Sequence, residues 1–166
     1  CLVGDKVRDK DGIIALMLLS EAAAYYKKQG LTLWDNMQNM YKRYGYYQEN
    51  QVSIVLEGAD GAQKIKNMME NVRNNPPKAI GKYKILKFRD YLNGTIKDYN
   101  TEEINKVELP KSNVLYFELE NDFWCCMRPS GTEPKIKFYM GATGENIEDA
   151  KNKVNEVTEG MKELMK

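Results

Sequence analysis

The sequence predicts an α+β fold, a mostly antiparallel sheet with helices packed on one face. Three observations carry that expectation. Residues 51–57 alternate apolar Val52, Ile54 and Leu56 with polar Gln51, Ser53 and Glu57, Val55 apart, as a half-buried strand does. Ile147, Ala150, Val154, Val157, Met161 and Leu164 recur at spacings of three and four, a single apolar stripe on a helix. Between them the order is helix, strands, hairpin and strand, without the regular strand–helix alternation of a parallel sheet.

Taken in order, residues 1–10 are short and mixed in character. From Asp11 the pattern turns helical. Ile13 to Leu19 and Ala22 to Tyr26 are apolar nearly all round, interrupted only by Ser20 and Glu21. A helix apolar on every side expects burial on several sides. Lys27 and Lys28 suit a helix C-terminus, and Gly30 suits the position just beyond it. Thr32, with Asp35 three residues on, forms a capping-box variant for a second helix that runs to about Tyr44 and is ended by Gly45. Leu33, Met37, Met40, Tyr41 and Tyr44 share one face of it and are expected in a core. The character of the chain changes at Tyr46, so a domain boundary is placed there, giving units 1–45 and 46–166.

After the strand at 51–57, Gly58 to Gly61 makes a turn. Asp60, with Gln63 three residues on, is an N-cap signature rather than a catalytic carboxylate. The next helix carries Ile65, Met68, Met69 and Val72 inward and stops at Asn74-Asn75-Pro76-Pro77. Lys82 to Phe88 is a strand, and Asn93-Gly94 a turn. Residues 95–112 are polar and expected to be irregular. Val114–Glu120 and Phe123–Met127 form a hairpin about Asn121-Asp122, and a strand at Ile136–Met140 precedes the last helix. Glu148 and Asp149 at that helix's start, and Lys162 and Lys166 at its end, agree with the helix dipole.

Composition narrows the function classes. The chain has 166 residues, a formal net charge of +1 and 42% hydrophobic residues, so it is a folded domain with no global field for nucleic acid or anionic membrane. No apolar run is long enough to span a bilayer and no signal peptide is evident. There is no His, which excludes Cys/His zinc sites and His-based acid–base or nucleophilic schemes. Cys1, Cys125 and Cys126 are few and poorly spaced; neighbours on a strand point to opposite faces, so Cys125 and Cys126 do not bridge. They read as reduced, cytoplasmic packing residues. The start at Cys1 rather than Met suggests a piece of a longer protein. Several of the 11 tyrosines lie near lysines, which raises a nucleic-acid binding module as an alternative, but the cations are scattered among acids with no basic stripe.

The stretch that speaks about function is Arg128-Pro129-Ser130-Gly131-Thr132-Glu133-Pro134-Lys135-Ile136-Lys137, a short turn between two apolar-aromatic runs. Arg offers a planar fork matched to two phosphate oxygens. Gly131 allows close backbone approach with N–H groups turned inward, Ser130 and Thr132 add hydroxyl donors, and Lys135 and Lys137 add charge. Lys135 and Lys137 share a strand face at different depths.

This stretch closely resembles the phosphate-binding loop in the last domain of the α-D-phosphohexomutases, the phosphoglucomutase and phosphomannomutase family. Val7-Arg8-Asp9-Lys10-Asp11-Gly12 resembles a segment following that family's sugar-binding loop, and Leu56-Glu57-Gly58-Ala59-Asp60-Gly61 the opening of its fourth domain. The resemblance covers nearly the whole chain and is strongest to the phosphoglucomutase branch. It implies that residues 1–45 are the two-helix tail of the third, α/β, sugar-binding domain and 46–166 the fourth, phosphate-binding domain. It implies Arg128, Ser130, Gly131, Thr132 and Lys137 as the contacts to a phosphosugar's phosphate, with Glu133 and Pro134 shaping the turn. Lys10 matches a family lysine near the sugar phosphate, whereas Arg8, Asp9 and Asp11 are most simply a salt-bridged loop and helix cap. The whole enzyme would interconvert hexose 1-phosphate and hexose 6-phosphate through a phosphoserine and a bisphosphosugar, with Mg2+. The serine, metal and sugar loops precede the matched region. The chain itself is therefore expected to be inactive, to hold no catalytic residue and no metal, and to pack on the missing domains or self-associate through its first helix.

Overall fold

The computed structural model describes Gly4, residues 11–58 and residues 60–164. Lys10, Arg8 and Asp9 lie outside the described residues. The chain divides into two compact units, 1–45 and 46–166.

The first unit is a helical pair, α1 (Gly12–Lys27) and α2 (Leu33–Tyr44). Asp11 caps α1 by accepting from the Ile14 N–H at 2.8 Å, which satisfies one of the free donors at a helix start. Gly30, at φ 74°, turns the chain so that Leu31 N–H returns to the Tyr26 carbonyl. Thr32 and Asp35 form the expected capping box, with Asp35 N donating to Thr32 Oγ1 at 3.1 Å and Thr32 N to Asp35 Oδ2 at 2.8 Å. Hydrogen bonds from the Thr32 hydroxyl, at 2.6 Å, and from the Thr32 N–H to Asp35 Oδ2 hold that carboxyl below its ordinary range. The core face expected on α2 does not form, whereas the apolar surface of α1 is exposed, as its expected self-association requires. No residue of either helix is buried, and Ile13, Met17 and Tyr44 are 73%, 67% and 63% exposed. Two helices offer each other one narrow seam, too little to cover a helix that is apolar all round.

The second unit is an antiparallel sheet with two helices. Its strands are β1 (Tyr46–Val55), β2 (Ala79–Ile80), β3 (Tyr83–Asp90), β4 (Thr95–Asp98), β5 (Ile104–Lys106), β6 (Leu115–Leu119), β7 (Trp124–Pro129) and β8 (Lys135–Gly144). The order across the sheet is β1-β8-β7-β6-β3-β4-β5, with β2 paired to β3, and every pairing is antiparallel. Helices α3 (Gly61–Asn74) and α4 (Ile147–Glu163) complete an α+β fold.

The core lies between one sheet face and the two helices. Phe117, Leu115, Cys125, Met127, Ile136, Phe138 and Met140 from β6, β7 and β8 meet Ile65, Met69 and Val72 of α3 and Val154, Val157 and Met161 of α4. Period-two alternation sends the intervening side chains to the other face, which is open. A bulge between Ile85 and Lys87 shifts the alternation, so both Ile85 and Phe88 face inward. Gly160 lets α4 approach the β2–β3 turn, because a Cβ there would overlap the Gly81 nitrogen.

Two further expectations are corrected. Residues 95–112 are not irregular throughout, since β4 and β5 form there by pairing outward from β3. Asp60 precedes α3 but makes no side-chain capping bond. Its backbone is already helical, at φ −90° and ψ −6°, whereas a capping side chain needs an extended backbone to reach back to the first turn.

Candidate functional site

The loop 130–134 joins β7 to β8, and the sheet register determines which side chains it displays. Arg128 pairs with Lys137 and Pro129 with Ile136. Met127, Ile136 and Phe138 are buried in the core, so Arg128 and Lys137 both project from the open face. On its other side Lys137 is opposite Ser53 of β1. Two cations thus stand side by side, and among the described residues neither takes part in an ion pair. Like charges directly opposed across strands destabilise a sheet, so an anion between them relieves the pair. Lys135, by contrast, is engaged with Glu133 at 3.5 Å.

The loop is tied down from within. Ser130 N donates to the Lys135 carbonyl at 2.7 Å, Lys135 N to the Glu133 carbonyl at 2.7 Å, and Thr132 N points to Ser130 Oγ at 3.4 Å. Gly131 is exposed with open space about its Cα, so its N–H can approach a ligand closely. A small cleft of about 150 Å³ collects Arg128, Pro129, Ser130, Gly131, Lys137 and Tyr139. Four of the five sequence-predicted contacts (Arg128, Ser130, Gly131 and Lys137) therefore line one recess. Thr132 lies in the loop but does not line it. Tyr139 does line it, and sequence reasoning missed it; its signal was the period-two spacing from Lys135 and Lys137.

Next to this recess, Cys126 lies beside Tyr139 in the register. Burial pushes its thiol up to about 11, against the smaller opposing pull of a backbone hydrogen bond from Tyr139 and the Arg128 charge. It stays a neutral thiol at pH 7. Farther along the open face Trp124 stacks on Tyr116, with centroids 5.8 Å apart, and Arg89 is paired to Glu118. Burial pushes the Tyr116 phenol up to about 12.

Among the described residues no three carboxylates or thiols stand together in a way that could hold a metal ion. No described helix is long and apolar enough to cross a membrane.

No protein-family profile matches the chain. Curated proteins do. It is 34% identical over 149 residues to the phosphoglucomutase of Staphylococcus aureus (strain MSSA476), covering 90% of this chain and 27% of that protein. It is 37% identical over 149 residues to the phosphoglucomutase of Staphylococcus haemolyticus, covering 89% and 27%. A solved structure of the Paramecium phosphoprotein pp63/parafusin, titled a phosphoglucomutase in its open form, aligns at 14% identity with a TM-score of 0.49, over 95% of this chain and 28% of that one. The matches to the two curated phosphoglucomutases fit the C-terminal fragment of a phosphohexomutase. Within that family the curated relatives are phosphoglucomutases, and the chain spans about 27% of their length.

Proposed function

We propose that this chain is the phosphate-gripping part of an enzyme that interconverts hexose 1-phosphate and hexose 6-phosphate through a phosphoserine and a bisphosphosugar. The observation that supports it best is the pairing of Arg128 with Lys137, two cations held in register with no acidic partner among the described residues. A phosphate dianion between them would accept two hydrogen bonds from the guanidinium and one from the ammonium. It would accept others from the Gly131 N–H and from Ser130 Oγ, with Thr132 at the rim. The grip holds the substrate in position and offsets its charge; the reaction itself takes place elsewhere.

On this reading residues 46–166 are the enzyme's fourth domain and residues 1–45 the end of its third. Lys10 would lie near the sugar phosphate. The phosphoserine, Mg2+ and sugar-selecting loops belong to the remainder of the protein, and the chain alone has no mutase activity. A cytoplasmic setting suits the reduced thiols. Each charge-assisted contact nets about 1.5–3 kcal/mol before ordering costs, so the isolated loop should bind with roughly millimolar affinity.

The test is a titration of the chain with glucose 6-phosphate, following the backbone amides of residues 128–137 by NMR. Saturable shifts confined to that loop, matched by inorganic phosphate and absent in Arg128→Ala, are expected. Equal shifts in the variant would overturn the assignment.

A further inference from the structure

We propose that Leu56 and Gly61, remote in sequence from the loop, position the phosphate grip, with Gly61 as the positioning residue; this rests on the phosphate reading above. The β1–β8 ladder has Val55 opposite Lys135. One residue further on, Leu56 N donates to the Pro134 carbonyl at 2.9 Å, so strand pairing extends into the loop itself. The Leu56 carbonyl in turn lies against Gly61. A Cβ at Gly61 would overlap that oxygen and stand 3.3 Å from the Pro134 Cβ.

Gly61 also begins α3, whose Ile65, Met69 and Val72 are locked in the core. A continuous line of contact thus runs from the core through α3, Gly61 and Leu56 to Pro134. From Lys135 it passes to Ser130 through the hydrogen bond of Ser130 N to the Lys135 carbonyl. A side chain at position 61 must displace something. Moving Leu56 off Pro134 breaks one hydrogen bond and shifts a half-buried side chain at the core's edge, while moving α3 displaces the fully buried Ile65, Met69 and Val72, so the loop gives way first. Ser130 and Gly131 then leave the recess that Arg128 and Lys137 frame.

The test compares the chain with its Gly61→Ala variant in a titration with inorganic phosphate, alongside hydrogen exchange of the Leu56 amide in the unaltered chain. The variant should keep native shifts for Ile65 and Val72 while its phosphate affinity falls by about fivefold or more. Phosphate should slow Leu56 amide exchange in the unaltered chain, because coupling between brace and ligand is reciprocal. A folded variant with a smaller loss of affinity overturns the proposal. If the variant does not fold, the exchange measurement decides alone: Leu56 exchange unaffected by saturating phosphate overturns it. No response of the unaltered chain to phosphate overturns the phosphate reading itself, and this proposal with it.

Discussion

On the phosphate reading, Arg128 and Lys137 each cost the free fold something that a bound phosphate would repay. Their opposed charges repel in the absence of ligand. Arg128→Ala should therefore leave the melting temperature of the free chain unchanged or slightly raised, while removing the stabilisation that phosphate confers on the unaltered chain. Calorimetric scans with and without phosphate would show it; a variant melting well below the parent would mean that Arg128 supports the fold instead. Asp90 is the contrasting case. It is 2% exposed and accepts from Arg73 Nε at 3.1 Å, Leu92 N at 3.0 Å and Asn93 Nδ2 at 2.6 Å. Arg73 reaches on to Asn113 at 2.6 Å, so one carboxylate joins α3, β3 and the loop before β6. Asp90→Ala would leave the largely covered Arg73 guanidinium without its carboxylate and should cost about 3 kcal/mol in urea unfolding.

Individual elements differ sharply in how far the described chain completes them. Helix α4 is complete: Ala150, Val154, Val157 and Met161 are buried, and Thr158 Oγ1 accepts from Asn50 Nδ2 of β1 at 3.1 Å while donating to the Val154 carbonyl at 2.7 Å. Met161→Ala should cost about 2–5 kcal/mol, read from the same unfolding curves. Helix α1 is not complete, with Leu16 and Leu19 66% and 57% exposed. An apolar surface of this kind calls for a partner, which on the proposed reading is another copy or the rest of the enzyme. The chain should self-associate at high concentration, and Leu16→Lys with Met17→Lys should return it to monomer in sedimentation runs. A parent that stays monomeric at every concentration would contradict this.

The molecule's response to acid follows from carboxylates spread over unit 46–166. Asp98 is held below its ordinary 3.8 by the Asn100 backbone N–H, and Asp149 by a hydrogen bond from Lys153. Glu156 is held below 4.5 by Lys82 and then Tyr83. A depressed folded-state value means the unfolded chain takes up protons first as pH falls. Their stabilisation is fully present above the unfolded values and is lost as pH drops through the folded ones. The melting temperature should be flat from about pH 7 to about pH 5 and fall below about pH 4, and Glu156→Gln should soften that fall. A melting temperature that rose on acidification would reverse the assigned sign.

Local pattern determined much of this protein. The stripe of α4, the inward positions of α3, the capping box at Thr32 and the hairpin at Asn121-Asp122 are all set by neighbours a few residues apart, where periodicity and cap chemistry act directly. The residues of the proposed phosphate loop could be singled out for the same reason, being contiguous. The tertiary structure decided what depends on distant partners. It exposed the faces of α1 and α2 that their composition assigns to a core, because apolarity states a need for burial and not the means. It made strands of residues 95–98 and 104–106, because a polar segment gains ladder hydrogen bonds only when a strand lies beside it, β3 for the first and β4 for the second. It also added Tyr139 to the recess and set Gly61 against Leu56 and Pro134, contacts that follow from sheet register and helix docking, which no window of sequence contains.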